Sequence, residues 1–203
     1  LTETHDILSP GPDFRPVHSA QRPPSSRDVH PGSRWVSIWS RLPILDTGVA
    51  VTDNERTVSC VLEVKGKPLL VYGTVLPWNN DRERAGMLPE LRKQAADWGS
   101  LPNTVDAPIC VAGDFNVNLG GPHYYGSNQN KTAVSTALQE ARLVAMTDYE
   151  HTRDRREFGL IDHIAVSGSI APRATLALIW DRENDAGETM SDHSGVAVDI
   201  TAW

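Results

Sequence analysis

The sequence predicts an α+β fold, a two-layer β-sandwich flanked by helices. Two observations carry this reading. Most ordered stretches are short apolar or alternating runs, the signature of strands. Two longer stretches with helical spacing interrupt them without alternating regularly, which argues against a doubly wound parallel sheet. No internal repeat is present. The 203 residues suffice for one substantial core, and residues 1–203 are read as a single domain.

The elements follow in order. Residues 7–34 are rich in Pro, Ser, Gly and Arg without a sustained period and read as a long loop. Trp35 to Ser40 is a short strand. Val58, Cys60, Leu62 and Val64 alternate with Thr57, Ser59, Val61 and Glu63, a half-buried strand. Lys65-Gly66-Lys67 is a hairpin turn, and Leu69 to Leu76 is a more central strand. Asp81 is the expected N-cap of a helix running to about Trp98, with Met87, Leu91, Ala95 and Trp98 on one face. Pro89 argues for a later start. Pro108 to Ala112 is a buried strand. Gly120-Gly121-Pro122 is a loop, and a second helix fits Thr132 to Leu143. Strands fit Gly159–Val166, Ala174–Trp180 and Gly195–Thr201.

The net charge is −7, with 39% hydrophobic and 22% charged residues. This composition is globular, and the acidic balance argues against a broad, non-specific nucleic-acid binder while allowing a small basic cleft. Cys60 and Cys110 lie in strand-like runs and read as core thiols rather than a disulfide or zinc site. No run reaches the length of a membrane span, and no signal peptide is recognised, so the cytoplasm is the default compartment. The chain starts at Leu1 rather than Met and is read as a fragment or processed form.

Val111-Ala112-Gly113-Asp114-Phe115-Asn116-Val117-Asn118 is the most informative stretch. Residues two apart on an extended backbone share a side, so Asp114 and Asn116 emerge together from a strand end. The carboxylate can orient or deprotonate a water, and the carboxamide can bond a phosphoryl oxygen. Gly-Asp-x-Asn is also ordinary turn chemistry. Asp162 shares a strand face with Leu160, Ile164 and Val166, where an unpaired carboxylate is costly. His163 points the other way and reads as a satisfied or exposed strand residue. Ser191-Asp192-His193 precedes the last strand, and Glu3 lies at the start; either stretch alone would pass as solvated.

In this order, with Ser40-Arg41-Leu42-Pro43-Ile44, Gly113-Asp114-Phe115-Asn116 and Ser191-Asp192-His193, the chain resembles the endonuclease/exonuclease/phosphatase superfamily. The resemblance covers essentially the whole sequence. It implies the deoxyribonuclease I-like four-layer α/β sandwich and a Mg²⁺-dependent site, with Mn²⁺ as a substitute. Glu3 would be a metal ligand, and Asp192 would sit near the metal. Asp114 would activate the water, Asn116 would bond a phosphoryl oxygen, and His193, kept charged by Asp162, would contact the scissile phosphate. Mg²⁺ takes hard oxygen ligands and neutralises charge at phosphorus.

Two departures stand out. The family's first strand, which carries a supporting Asn, is missing upstream of Glu3. Thr74 and Val75 occupy positions where many members place His or Tyr. Thr74 is retained as a substrate-side candidate, with Trp78, Asn79 and Asn80 expected to line the cleft. Arg153, Arg155 and Arg156 form a basic cluster, either a solvated loop or a grip on a flanking phosphate. Tyr124, beside His123 and Tyr125, either stacks on a base or packs its loop. The expected function is hydrolysis of a phosphodiester, nuclease-like, or of a phosphomonoester. The expected partner is a phosphate ester, with nucleic acid among the candidates. The alternative is a catalytically impaired member of the same fold serving as a binding or scaffold module.

Overall fold

The computed structural model describes residues 1–23, 29–78, 81, 86–155 and 159–201. Its strands are β1 (Thr2–His5), β2 (Arg15–His18), β3 (Ser33–Ser40), β4 (Ile44–Asp46), β5 (Thr57–Val64), β6 (Lys67–Val75), β7 (Ile109–Asp114), β8 (Leu143–Ala145), β9 (Asp162–Ser167), β10 (Ala174–Trp180) and β11 (Gly195–Ile200). The helices are α1 (Met87–Val105), α2 (Asn128–Glu140) and the single turn α3 (Tyr149–Thr152).

Six strands form the central sheet in the order β4-β5-β6-β7-β9-β8. Among the described residues only β6 and β7 are parallel, joined by α1 as the crossover that a parallel pair requires. The three-stranded sheet β1-β3-β2 and the hairpin β10-β11 form the second β-layer.

Side-chain parity decides what each face of the central sheet meets. Leu70, Tyr72, Ile109, Val111 and Ala165 join Leu91, Trp98, Val134 and Leu138 of α1 and α2 in the largest apolar cluster. The opposite residues of the same strands face the second β-layer. Val75 and Val58 meet Trp35 and Val36, while Val166 and Leu69 meet Ile170 and Ala174, with Ile164, Val198 and Ile200 packed alongside. The fold is α+β, with a two-layer sandwich and helices on its outer face. Cys60 and Cys110 are free thiols, and burial pushes their pKa values up to about 11 and about 12.

Three expectations are corrected. The long loop over 7–34 contains β2, which pairs with β3 from Arg15↔Ser40 to His18↔Ser37. Its Pro16 and lack of alternation hid a sheet-edge strand. Helix α1 begins at Met87 after Gly86, which puts Pro89 in the first turn, where no amide bond is lost, and it runs on to Val105. Asp81 does not cap it, because its carboxylate pairs with buried Arg56 at 2.7 Å. Helix α2 starts four residues earlier than expected, with the Ser127 Oγ accepting from the Asn130 N–H at 3.1 Å.

Candidate active site

The site forms where β6, β7 and β9 end together on the face covered by the second β-layer. Val75 pairs with Asp114, and Asp114 lies directly across from Asp162. Gly113 makes the close approach possible. Its φ is +147°, and a Cβ there would lie 1.9 Å from the Thr74 carbonyl oxygen.

Asp114 is only 4% exposed. The chain then turns through Asn116 at φ +51°, a left-handed conformation that Asn tolerates. The turn is pinned from both sides. The Asn116 N–H donates to Asp114 Oδ1, and Asn116 Nδ2 donates to Asp114 Oδ2 and to the Leu76 carbonyl, all at 2.8 Å. Phe115 is fully buried, stacked on Trp98 at 6.0 Å and tilted against His163 at 5.4 Å. Both amide hydrogens of Asn116 are thus committed to the protein. The residue positions Asp114 here and holds no spare donor for a phosphoryl oxygen.

His193 arrives from the loop before β11. Its Nδ1 donates to Asp162 Oδ2 at 2.8 Å. One donor atom each from Asp114, Asp162 and His193 lies within 4.8 Å of the others. The bond to Asp162 pushes the His193 pKa up to about 9, against the opposing effect of burial. The Asp114 pKa is pushed up to about 7, first by burial and then by the charge of Asp162, with Glu3 adding to it. The raised pKa favours the protonated imidazole at neutral pH, and a protonated imidazole is not a metal ligand.

The remaining candidates divide. Glu3 is exposed on β1, close enough to act on Asp114 electrostatically. Asp192 has a side chain 92% exposed, 3.8 Å from His193 Nε2. Asp192 lies at the cavity and Glu3 acts on Asp114 from β1, and neither belongs to the triad. Tyr124 and Asp192 line a cavity of about 190 Å³ that opens beside Asp162 and His193. Thr74 does not reach it. It faces α1, fully buried, and its hydroxyl donates to Gln94 Oε1. Trp78 is half-buried with its ring against Trp35 at 5.9 Å and the Arg56 guanidinium at 5.1 Å, so it packs the sandwich. Arg153 pairs with Glu150 at 2.9 Å, and Arg155 donates to the Ala177 carbonyl at 3.2 Å. Asn79, Asn80 and Arg156 lie outside the described residues. His163 is a satisfied core residue between Thr147 and the Val117 carbonyl, its pKa lowered by burial.

Two further residues belong to the site. Asn118 is fully buried. Its Nδ2 donates to the Gly120 and Pro122 carbonyls, and its Oδ1 accepts from the Tyr124 and Tyr125 N–H groups at 3.1 and 2.9 Å, which sets Tyr124 at the cavity. Arg182, on the β10–β11 connection, lines the same cavity. No local pattern marks it, because the length of that hairpin decides where it falls.

No protein-family model matches the sequence, and no curated protein is similar to it. Solved structures are similar. An AP endonuclease from Archaeoglobus fulgidus superposes with a TM-score of 0.63 at 17% identity, over 94% of this chain and 80% of that one. The endonuclease domain of TRAS1, a telomere-specific non-LTR retrotransposon, gives 0.63 at 13% identity over 95% and 82%. The 3′ phosphatase NExo from Neisseria, bound to product DNA hairpin, gives 0.60 at 18% identity over 94% and 80%. With the two-layer sandwich, the shared strand ends and the site they hold, these likenesses identify the chain as having the deoxyribonuclease I-like fold of the endonuclease/exonuclease/phosphatase superfamily.

Proposed function

We propose that this protein is a divalent-metal-dependent phosphoesterase, and that it cleaves phosphodiesters in preference to monoesters. The observation that carries the reading is the convergence of Asp114, Asp162 and His193 within 4.8 Å. The similar solved structures, an AP endonuclease, a retrotransposon endonuclease domain and a 3′ phosphatase, support the same chemistry.

Each residue has a role its surroundings support. Asp114, buried with a pKa near 7, is poised to take a proton from the attacking water at neutral pH. Asn116 holds both carboxylate oxygens in place. His193 is held as imidazolium by Asp162, which engages Nδ1 and leaves Nε2 to bond a phosphoryl oxygen as charge builds there.

The residues fit a divalent cation. Asp114, Asp162 and Glu3 crowd negative charge against a single imidazolium, and after burial the charges of Asp162 and Glu3 add to the rise of the Asp114 pKa. Glu3 and Asp192, exposed hard-oxygen donors near Asp114 and His193 respectively, are the residues that would hold Mg²⁺ or Mn²⁺. Bound there, the ion would neutralise charge on the phosphoryl group.

The test is hydrolysis of bis(p-nitrophenyl) phosphate, single- and double-stranded DNA, RNA and p-nitrophenyl phosphate, with Mg²⁺ or with EDTA. Mg²⁺-dependent turnover is expected, reduced by about 10²-fold or more in Asp114→Ala and His193→Ala. Absence of turnover on every substrate would leave the fold as a binding module.

A further inference from the structure

We propose that the cavity beside His193 is a subsite for an unpaired nucleotide flanking the scissile phosphate of a single-stranded nucleic acid. Tyr124 supplies a stacking face in its lining, Trp180 a second face just beside it, and Arg182 takes its phosphate. This assignment rests on the phosphoesterase reading above and names its substrate class.

The cavity, about 190 Å³, is lined by Tyr124, Asp162, Arg182, Asp192, His193 and Ser194 among others. A group bound there touches the residue assigned to the scissile phosphate. Arg182 is held at the neck of the β10–β11 hairpin, where its carbonyl accepts from the Met190 and Ser191 N–H groups at 2.7 and 3.2 Å. Its exposed guanidinium makes no hydrogen bond or ion pair among the described residues. A fixed backbone with an uncommitted planar cation suits a phosphate. Arg155, bonded to the Ala177 carbonyl of β10, places a second guanidinium along the same hairpin. These cations stand on a body of net charge −7.

The aromatic residues make the site more than a phosphate grip. Tyr124 and Trp180 are each 51% exposed. Tyr124 is fixed through its N–H to Asn118. Trp180 pairs with Gly195, and its ring lies where a Gly195 Cβ would come within 2.0 Å, so the indole covers the chain right after Ser194. Half-exposed rings beside a cation are what sequence-tolerant single-strand binding uses, since every unstacked base offers a π-face. A bare phosphomonoester or a lipid headgroup has no use for two such faces. A base inside a duplex cannot reach them.

The experiment is equilibrium binding of a 5′-fluorescein-labelled single-stranded hexamer to the full chain, by anisotropy, in EDTA and across NaCl concentrations. Arg182→Ala is expected to weaken binding about threefold to tenfold and to reduce the slope of log K against log salt by about 0.7. Arg182→Lys is expected to keep the slope. Tyr124→Ala and Trp180→Ala are each expected to weaken binding about fivefold or more with the slope unchanged. Binding with these signatures but no Mg²⁺-dependent hydrolysis would sink the phosphoesterase reading and leave the subsite standing. Hydrolysis of bis(p-nitrophenyl) phosphate with oligonucleotide binding that none of the variants weakens overturns the subsite. So does loss of binding by the same variants only on anionic phosphatidylcholine–phosphatidylserine vesicles.

Discussion

Asp162 Oδ2 and His193 Nδ1 lie 2.8 Å apart, across 31 residues of chain, and this bond ties β9 to the loop before β11. It links the outer hairpin to the central sheet at the point where the chemistry is expected. It also sets a charge, because the His193 pKa is raised from 6.5 to about 9. A folded-state value above the unfolded one adds stability that is complete below pH 6.5 and is lost as pH rises through 9. The pair is partly exposed, so the contribution is about 1–2 kcal/mol after solvent screening. Asp162→Asn is expected to bring the His193 pKa back toward its ordinary value, seen by NMR titration of its ring protons. The stability gap between the two proteins should narrow from pH 6 to pH 10 in urea titrations. A gap that stays constant over that range would exclude the charged pair.

Asp114 carries the opposite consequence. Its folded pKa of about 7 lies above the ordinary aspartate value of 3.8, so the native state binds the extra proton between these values. Stability contributed by that proton is complete below pH 3.8 and is lost as pH rises through 7. The site is therefore a local cost to the fold at neutral pH, of the kind expected where a carboxylate is buried for function. In EDTA, Asp114→Asn is expected to flatten the fall in stability between pH 4 and 7. The Asp162→Asn variant should lower the Asp114 pKa as well, since the Asp162 charge is the second cause of its rise.

Gly113→Ala is expected to be among the most damaging single substitutions. The added methyl would meet the Thr74 carbonyl oxygen at 1.9 Å, a backbone atom in the parallel β6–β7 pair that has no room to yield. The expected loss is about 3–5 kcal/mol, or a fall in Tm of roughly 10 °C. Gly99→Ala is the control. It lies inside α1 with nothing within 4 Å of a new methyl, and should gain about 0.5–1 kcal/mol.

How much of this was legible in the sequence depends on the range of the interaction concerned. Alternation marks β5, apolar runs mark β6 and β7, and parity sets Asp162 on the face of Leu160, Ile164 and Val166, but only the β7–β9 register brings Asp114 and Asp162 onto one face. Parity also carried the answer for Thr74, since it shares a side with Tyr72 and that side meets α1. The family resemblance, which puts His or Tyr at this position in many members, pointed the other way. Trp78 and Asp81 depart from expectation for a different reason. Both are recruited by Arg56, a buried cation 22 or more residues upstream whose burial no local pattern announces. Arg182 and Trp180 reach the site through the β10–β11 pairing, a register that becomes visible only once the hairpin closes.

The last expectation concerns two exposed carboxylates. Glu3 and Asp192 are exposed, whereas Asp114 is buried under negative charge. A cation held by Glu3 and Asp192 offsets that charge, so its binding and the stability of the site are coupled. Mg²⁺ at about 100 times its Kd is expected to stabilise the chain by about 2.7 kcal/mol, read as a rise in Tm of about 5–10 °C over EDTA. Glu3→Gln and Asp192→Asn together should abolish most of that rise while leaving the Tm in EDTA unchanged, because neither carboxylate is buried. The Asp114 pKa should also fall when Mg²⁺ is added to the wild-type chain, since positive charge nearby favours the ionised carboxylate. The double variant should lose that response. A rise in Tm that survives the double substitution would move the ion to other ligands, and the triad of Asp114, Asp162 and His193 would then be the first place to look.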